Sequence, residues 1–260
     1  MKVVNRALKR RLGGYVMEAQ SILRSLRHPR TAPERRFVLF GRGRSGSTLM
    51  VQMLDANPEI GCLDEILRFS TLMPVRMIER ELGRIDKPVR GFKLLSYQIR
   101  ELHGRHSGPL RCWMADPAVK IFHLRRDNVL RHALSNIYAG SRRAYHSTDS
   151  SATEVTRITI AADDMFRWMR GSLDLLAWEQ RYLGDMDREE ICYERDLSSP
   201  TVQAATLDRV SRALDVYPVK VQAPLRKVTP KDYDAFIENW PALRKAIAAS
   251  EFSSYLDRSD

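Results

Sequence analysis

The sequence predicts an α/β fold, a parallel sheet flanked by helices on both faces in one domain. Short apolar runs alternate along the chain with stretches of helical periodicity, the order that builds such a sheet. The first run, Phe37-Val-Leu-Phe40, is continuous rather than alternating, as in a strand buried on both faces. With 260 residues and 43% hydrophobic content, the chain can fill one sizeable core.

Residues 3–27 carry helical periodicity through Val4, Leu8, Leu12, Val16, Ile22 and Leu26. Gly13-Gly14 interrupts it, which predicts one broken helix or two short ones. Pro29 and Pro33 end this section. The 37–40 strand runs into glycines, and 47–56 then reads as a helix stopped by Asn57-Pro58. Further strands are predicted at 89–95, 119–124 and 190–193. Helices are predicted at 67–83, 128–139, 161–183 and 202–214, and helical structure again over 230–257. Residues 140–156 read as a polar, turn-rich connection. The organisation is a basic helical extension, 1–35, followed by the domain, 36–260.

The net charge of +11 is unevenly placed. Residues 1–36 hold ten Lys/Arg against Glu18 and Glu34, a charge of +8 that leaves +3 for the rest. Such a stretch could attract nucleic acid, anionic lipid or a polyanionic substrate; the plainer reading is a solvated lead-in helix. No aromatics interleave with its basic residues as in a single-strand binder, which speaks against nucleic acid and leaves peripheral membrane contact open. No apolar run approaches bilayer length, and no signal-peptide core opens the chain. Cys62, Cys112 and Cys192 are widely spaced, fitting neither a disulfide framework nor a metal-ligand pattern. A reducing, cytoplasmic setting is expected.

The stretch FVLFGRGRSGSTLM, 37–50, carries the chemistry. Gly41, Gly46, Ser47 and Thr48 nearly spell G-x-x-x-x-G-K-[ST], but Ser47 stands where the lysine belongs and Arg44 lies three residues earlier. A strand, a glycine-rich turn and a helix form an anion trap, because first-turn N–H groups lack helical partners and the helix dipole adds positive charge. Gly41, Gly43 and Gly46 let backbone approach the ligand, and Ser45, Ser47 and Thr48 add hydroxyls. A nucleoside triphosphatase needs the missing lysine and an acidic magnesium ligand at a strand end. Here the strands end in Leu94-Leu95 and Leu124-Arg125-Arg126, with Asp127 following. The loop therefore suits a nucleotide with a short 5′ chain, and the two arginines suit a second phosphate. No metal is expected.

GRGRSGSTLM resembles the 5′-phosphosulfate loop of the sulfotransferases that use 3′-phosphoadenylyl sulfate (PAPS), where a Lys or Arg precedes Ser-Gly-[ST]-[ST]. HLRRDNVLRHALS, 123–135, resembles their 3′-phosphate segment, an Arg at a strand end followed by a Ser in the next helix. The usual spacing is eight residues; here Ser135 lies nine after Arg126 and ten after Arg125, so either arginine could clamp the phosphate, with Arg126 favoured. NPEIGCLDEIL (57–67), GFKLL (91–95), CYERDL (192–197), and LRKVTP with IENWPAL (225–243) look like later landmarks of the bacterial carbohydrate sulfotransferases, the nodulation-factor and trehalose types. The resemblance implies a P-loop-like sheet, PAPS as co-substrate and a hydroxyl acceptor, on a carbohydrate or another small molecule. It places Arg42, Gly43, Arg44, Ser45, Gly46, Ser47 and Thr48 on the 5′ end, and Arg125, Arg126 and Ser135 on the 3′-phosphate side, where Lys227, or Arg226 in its place, would also reach.

Three residues then take catalytic roles. Arg44 neutralises charge growing on the leaving phosphate, rather than serving as an ordinary surface arginine. Glu65 matches the family's Glu and is the candidate general base, with Asp64 as understudy; the plain alternative is an acid near a helix start. Lys93 sits in a run that should be buried, and a buried lysine is costly unless it meets an anion. It would touch the sulfuryl group or hold Glu65, or else reach solvent from the strand end. His123 reads as a packed strand residue, and His103 and His106 as loop residues without a partner pattern. Two other readings remain: a P-loop kinase or phosphotransferase using ATP and Mg²⁺, and a basic module binding nucleic acid or lipid.

Overall fold

The computed structural model describes residues 2–27, 33–141, 156–219 and 232–257, with residues 2–11 and 27 as backbone only. Five parallel strands form its sheet: β1 (Arg35–Gly41), β2 (Ile60–Leu63), β3 (Val89–Leu95), β4 (Val119–Arg125) and β5 (Glu189–Cys192), in the order β2-β3-β1-β4-β5. The helices are α1 (Lys2–Arg27), α2 (Ser47–Asp55), α3 (Pro74–Leu82), α4 (Ser107–Met114), α5 (Val129–Ser141), α6 (Ala162–Leu183), α7 (Pro200–Ala213) and α8 (Trp240–Ala248). This is the predicted α/β architecture.

Alternation along β1 feeds both layers. Phe37 and Leu39 pack with Met50, Leu54 and Val210 from α2 and α7. Val38 and Phe40 pack with Met77, Ile78, Leu110 and Leu183 from α3, α4 and α6. A third cluster joins α5, α6 and α8 through Leu134, Met169 and Leu243. Each such fully buried side chain contributes about 1.5–3 kcal/mol. The sheet order reverses at β1, whose neighbours β3 and β4 leave on opposite sides, and Gly41 is in register with both Leu95 and Leu124. Ligands of open α/β sheets bind in the crevice at the carboxyl ends of strands where this reversal occurs.

Several elements differ from expectation. Gly13-Gly14 does not break α1, which is one continuous helix. A Cβ on Gly14 would stand 1.8 Å from the Ser70 carbonyl oxygen, so that glycine permits close helix approach rather than a break. The helix predicted over 67–83 is confined to α3, with Pro74 at its start. The edge strand β2 and helix α4 were not predicted. Residues 142–155 of the polar connection, and Lys227, lie outside the described residues.

Candidate nucleotide and acceptor site

The loop between β1 and α2 is held by its carbonyls. Ser45 Oγ donates to the Arg42 carbonyl at 2.5 Å, His132 Nε2 lies 2.8 Å from that of Gly43, and Arg126 Nη1 donates to that of Arg44 at 3.4 Å. A trans peptide sets C=O and N–H on opposite sides. Three carbonyls turned into the protein therefore direct the N–H groups of Gly43, Arg44 and Ser45 the other way, the arrangement of an anion-binding nest. Gly46, with φ 83°, turns the chain into α2 and brings no side chain to cap its first turn. Arg44 itself has φ 64°, a left-handed conformation that costs a non-glycine residue about 1–2 kcal/mol.

Arg42 does not face this nest. Its guanidinium is buried, donating to the Ser172 carbonyl (2.8 Å), Ser172 Oγ (2.7 Å) and the Arg126 carbonyl (3.2 Å), with Glu179 3.9 Å from Nε. Burial lowers its pKa. The expectation that Arg42 grips the nucleotide is corrected: the side chain braces the loop from beneath, and only its backbone remains near a ligand.

Beneath the loop runs a directional chain of hydrogen bonds. Arg42 donates to Ser172 Oγ, which lies 2.9 Å from His132 Nδ1, and His132 Nε2 faces the Gly43 carbonyl. The chain closes when Ser172 donates to Nδ1 and a neutral His132 donates from Nε2. Burial, with Arg42, Arg126 and Arg44 nearby, lowers the His132 pKa to about 3.

On one side of the loop, Arg44 Nε donates to Ser135 Oγ at 2.9 Å. Ser135 and His132 lie three residues apart on α5 and so share the face that meets the loop. Arg126 lies over the Tyr193 ring at 4.5 Å, with Nε 3.4 Å from Glu194. Glu194 also accepts the N–H groups of Asp127 (2.9 Å) and Asn128 (3.0 Å). Arg125 turns away, 3.5 Å from Asp127 and 3.4 Å from Glu190. Successive residues at a strand end point to opposite sides, and of the two arginines it is Arg126 that reaches the loop.

On the other side, Lys93 Nζ meets three oxygens: Thr48 Oγ1 at 3.2 Å, Asp64 at 2.5 Å and Glu65 at 3.1 Å. Lys93 is 1% exposed, Glu65 17% and Asp64 58%. Of the readings left open by the sequence, this geometry has Lys93 holding Glu65 and excludes a lysine reaching solvent. Gln98 donates to Glu65 Oε2 at 2.7 Å while accepting the Leu95 N–H at 3.0 Å, and Tyr97 Oη lies 3.4 Å from the same Glu65 oxygen. Of the histidines, His123 is packed in β4, 3.3 Å from Glu179, a carboxylate that also accepts from Ser96 at 2.6 Å. His103 is buried 3.3 Å from the Leu67 carbonyl, and burial lowers its pKa.

Sequence reasoning missed Gln98, Tyr97, His132, Ser172, Glu179 and Glu194. His132 had a signal, its helical spacing from Ser135. Tyr97 and Gln98 had a fainter one, their place directly after β3. Nothing local marks Ser172 or Glu179 within α6.

No known family description matches the chain, and no curated protein does. Among solved structures, a sulfotransferase from Alicyclobacillus acidocaldarius superposes with a TM-score of 0.52 at 15% identity, covering 86% of this chain and 93% of that one. Mouse sulfotransferase SULT7A1 complexed with PAP gives a TM-score of 0.40 at 15% identity, over 88% of this chain and 69% of the other. The first of these likenesses establishes the fold; the second carries no weight.

Proposed function

We propose that this protein is a sulfotransferase that moves a sulfuryl group from PAPS to a hydroxyl of a carbohydrate or other small acceptor, in a cytoplasmic setting. The observation that carries the reading is the position of Arg44 at the meeting of two groups of residues. Its N–H belongs to the nest, while its side chain touches Ser135 and its carbonyl accepts from Arg126. PAPS bears its 5′-phosphosulfate and 3′-phosphate on one ribose, so its two anionic groups need two adjoining sites. The residues fit it: the nest and α2 would take the 5′ end, and Arg126 and Ser135 the 3′-phosphate.

The reaction is an in-line displacement. An acceptor oxygen bonds to sulfur as the bond between sulfur and the bridging oxygen breaks, leaving 3′-phosphoadenosine 5′-phosphate. Charge grows on that oxygen, where Arg44 and the loop N–H groups stabilise it. Glu65 takes the acceptor's proton. Lys93, Gln98 and Tyr97 fix its carboxylate, and positioning of this kind supplies much of the acceleration where the protein does little covalent work. Lys93 also touches Thr48, which ties the base to the donor loop.

Calorimetry tests the reading. 3′-Phosphoadenosine 5′-phosphate should bind without Mg²⁺ and more tightly than ATP. Glu65→Gln should keep that affinity and lower kcat. Tight binding of ATP only with Mg²⁺, and none of the bisphosphate, would make the protein a phosphotransferase instead.

A further inference from the structure

Helix α1 is amphipathic in the reverse sense. Its inward face is mostly small and polar: Gly14, Glu18, Ser21 and Ser25 are buried at helical spacing, beside one apolar residue, Met17, packed on the second core cluster. Glu18 accepts the N–H groups of Leu72 (2.8 Å) and Met73 (3.0 Å), just ahead of α3, and lies 3.8 Å from Arg80. Arg80 Nε reaches Ser21 Oγ at 3.4 Å, and Arg24 pairs with Glu81 at 3.6 Å. The helix is thus moored to α3 by polar contacts. Its outward face is Leu12, Tyr15, Val16, Ile22, Leu23 and Leu26, all exposed, with Leu26 at 77%. Leu72 and Met73 add two more exposed apolar side chains, Leu72 at 60%. A row of exposed apolar side chains along one helix face is the kind of surface that docks on a partner.

Charge identifies the occupant. The same helix carries Lys2, Arg6, Lys9, Arg10, Arg11, Arg24 and Arg27, against the single acid Glu18. Glu18 is buried and already engaged by backbone N–H groups, and the sequence of the helix stays strongly basic. A second copy of the chain would bring two strongly basic segments together, which repel. A nucleic acid would meet the cations and leave the aliphatic row in water. An anionic lipid surface satisfies both features: the acyl boundary takes the apolar row and the headgroups take the cations. None of the described helices is long and apolar enough to cross a membrane, and α1, about 39 Å long at 1.5 Å per residue, can lie along one. We propose that α1 docks this protein on an anionic bilayer, with Leu12, Val16, Leu23 and Leu26 entering the headgroup–acyl boundary.

Co-sedimentation of the full chain with vesicles tests this. Vesicles of phosphatidylcholine with a minority of phosphatidylserine should bind it, and phosphatidylcholine alone should bind at least about tenfold less. Raising ionic strength from about 0.1 M to about 1 M, which shortens the Debye length from ~10 Å to ~3 Å, should release most of it. The double substitution Leu23→Glu, Leu26→Glu should weaken binding at least about tenfold, since both side chains lose their apolar contact. Circular dichroism would check that this variant is folded. Leu26→Trp, in otherwise unaltered protein, should shift its emission to the blue when mixed vesicles are added. Equal binding to both vesicle types, no binding to either, or an unshifted Leu26→Trp emission would overturn the proposal. So would a dimer in gel filtration that dissociates in the double variant, which would make a second copy the occupant.

Discussion

The neutral His132 under the loop predicts a specific acid sensitivity. In the fold its pKa is lowered from the usual 6.5 to about 3 by burial and by three neighbouring guanidinium groups. Between those values the unfolded chain takes a proton that the folded chain refuses. The stabilisation is therefore fully present above pH 6.5 and is lost as pH falls toward about 3. At pH 5, one and a half units into the window, the loss is ~2 kcal/mol, at about 1.4 kcal/mol per unit. His132→Asn removes the titrating ring. The buried His103, also lowered, acts in the same direction, so the quantity to compare is the difference between the two proteins. Asp116 and Asp196, whose pKa values are lowered from 3.8, lose their contributions only at more acid pH. Urea unfolding of both proteins at about pH 7.5 and about pH 5 supplies the test. Wild type should lose ~2 kcal/mol more than His132→Asn between the two conditions. Parallel losses would show that the ring takes a proton in the folded state, and the directional hydrogen-bond chain would then be wrong.

Three further outcomes are expected. Arg44→Ala should lower kcat by about 10²–10³-fold while binding of 3′-phosphoadenosine 5′-phosphate weakens much less; a surviving kcat in saturated assays removes the leaving-group role. Arg126→Ala should weaken that bisphosphate by about 10–100-fold and adenosine 5′-phosphate clearly less, since Arg126 also holds the Arg44 carbonyl, measured by calorimetry; equal losses would contradict a 3′-phosphate contact. Lys93→Met should destabilise the fold by about 3 kcal/mol, because removing one partner of a buried ion pair leaves Glu65 without its cation, while Asp64 reaches solvent. Its kcat should fall at least about tenfold as Glu65 loses its anchor, and unfolding measured beside turnover separates the two effects.

Where the sequence was readable, the physics was local. The tight loop between β1 and α2 is legible because the turn into the helix needs glycine at φ 83°. Lys93 is legible because a lysine in a buried strand demands an anion, and two carboxylates meet it. The strand β2 was missed since it is short and Gly61 interrupts its apolar run. Gly13-Gly14 was misread because low helix propensity and close helix packing leave the same letters, and here packing decided. Arg42 was misassigned for a related reason: a motif records residue types, not which way each side chain turns. Its partner Ser172 is 130 residues away on α6, a contact no local pattern encodes.

That distant support also explains why an imidazole belongs there. The Gly43 carbonyl is held inward, and the group holding it must donate without adding charge. Arg42, Arg44 and Arg126 already crowd the place, so a lysine there would raise the repulsion. A neutral histidine donates to the carbonyl on one side and accepts from Ser172 on the other.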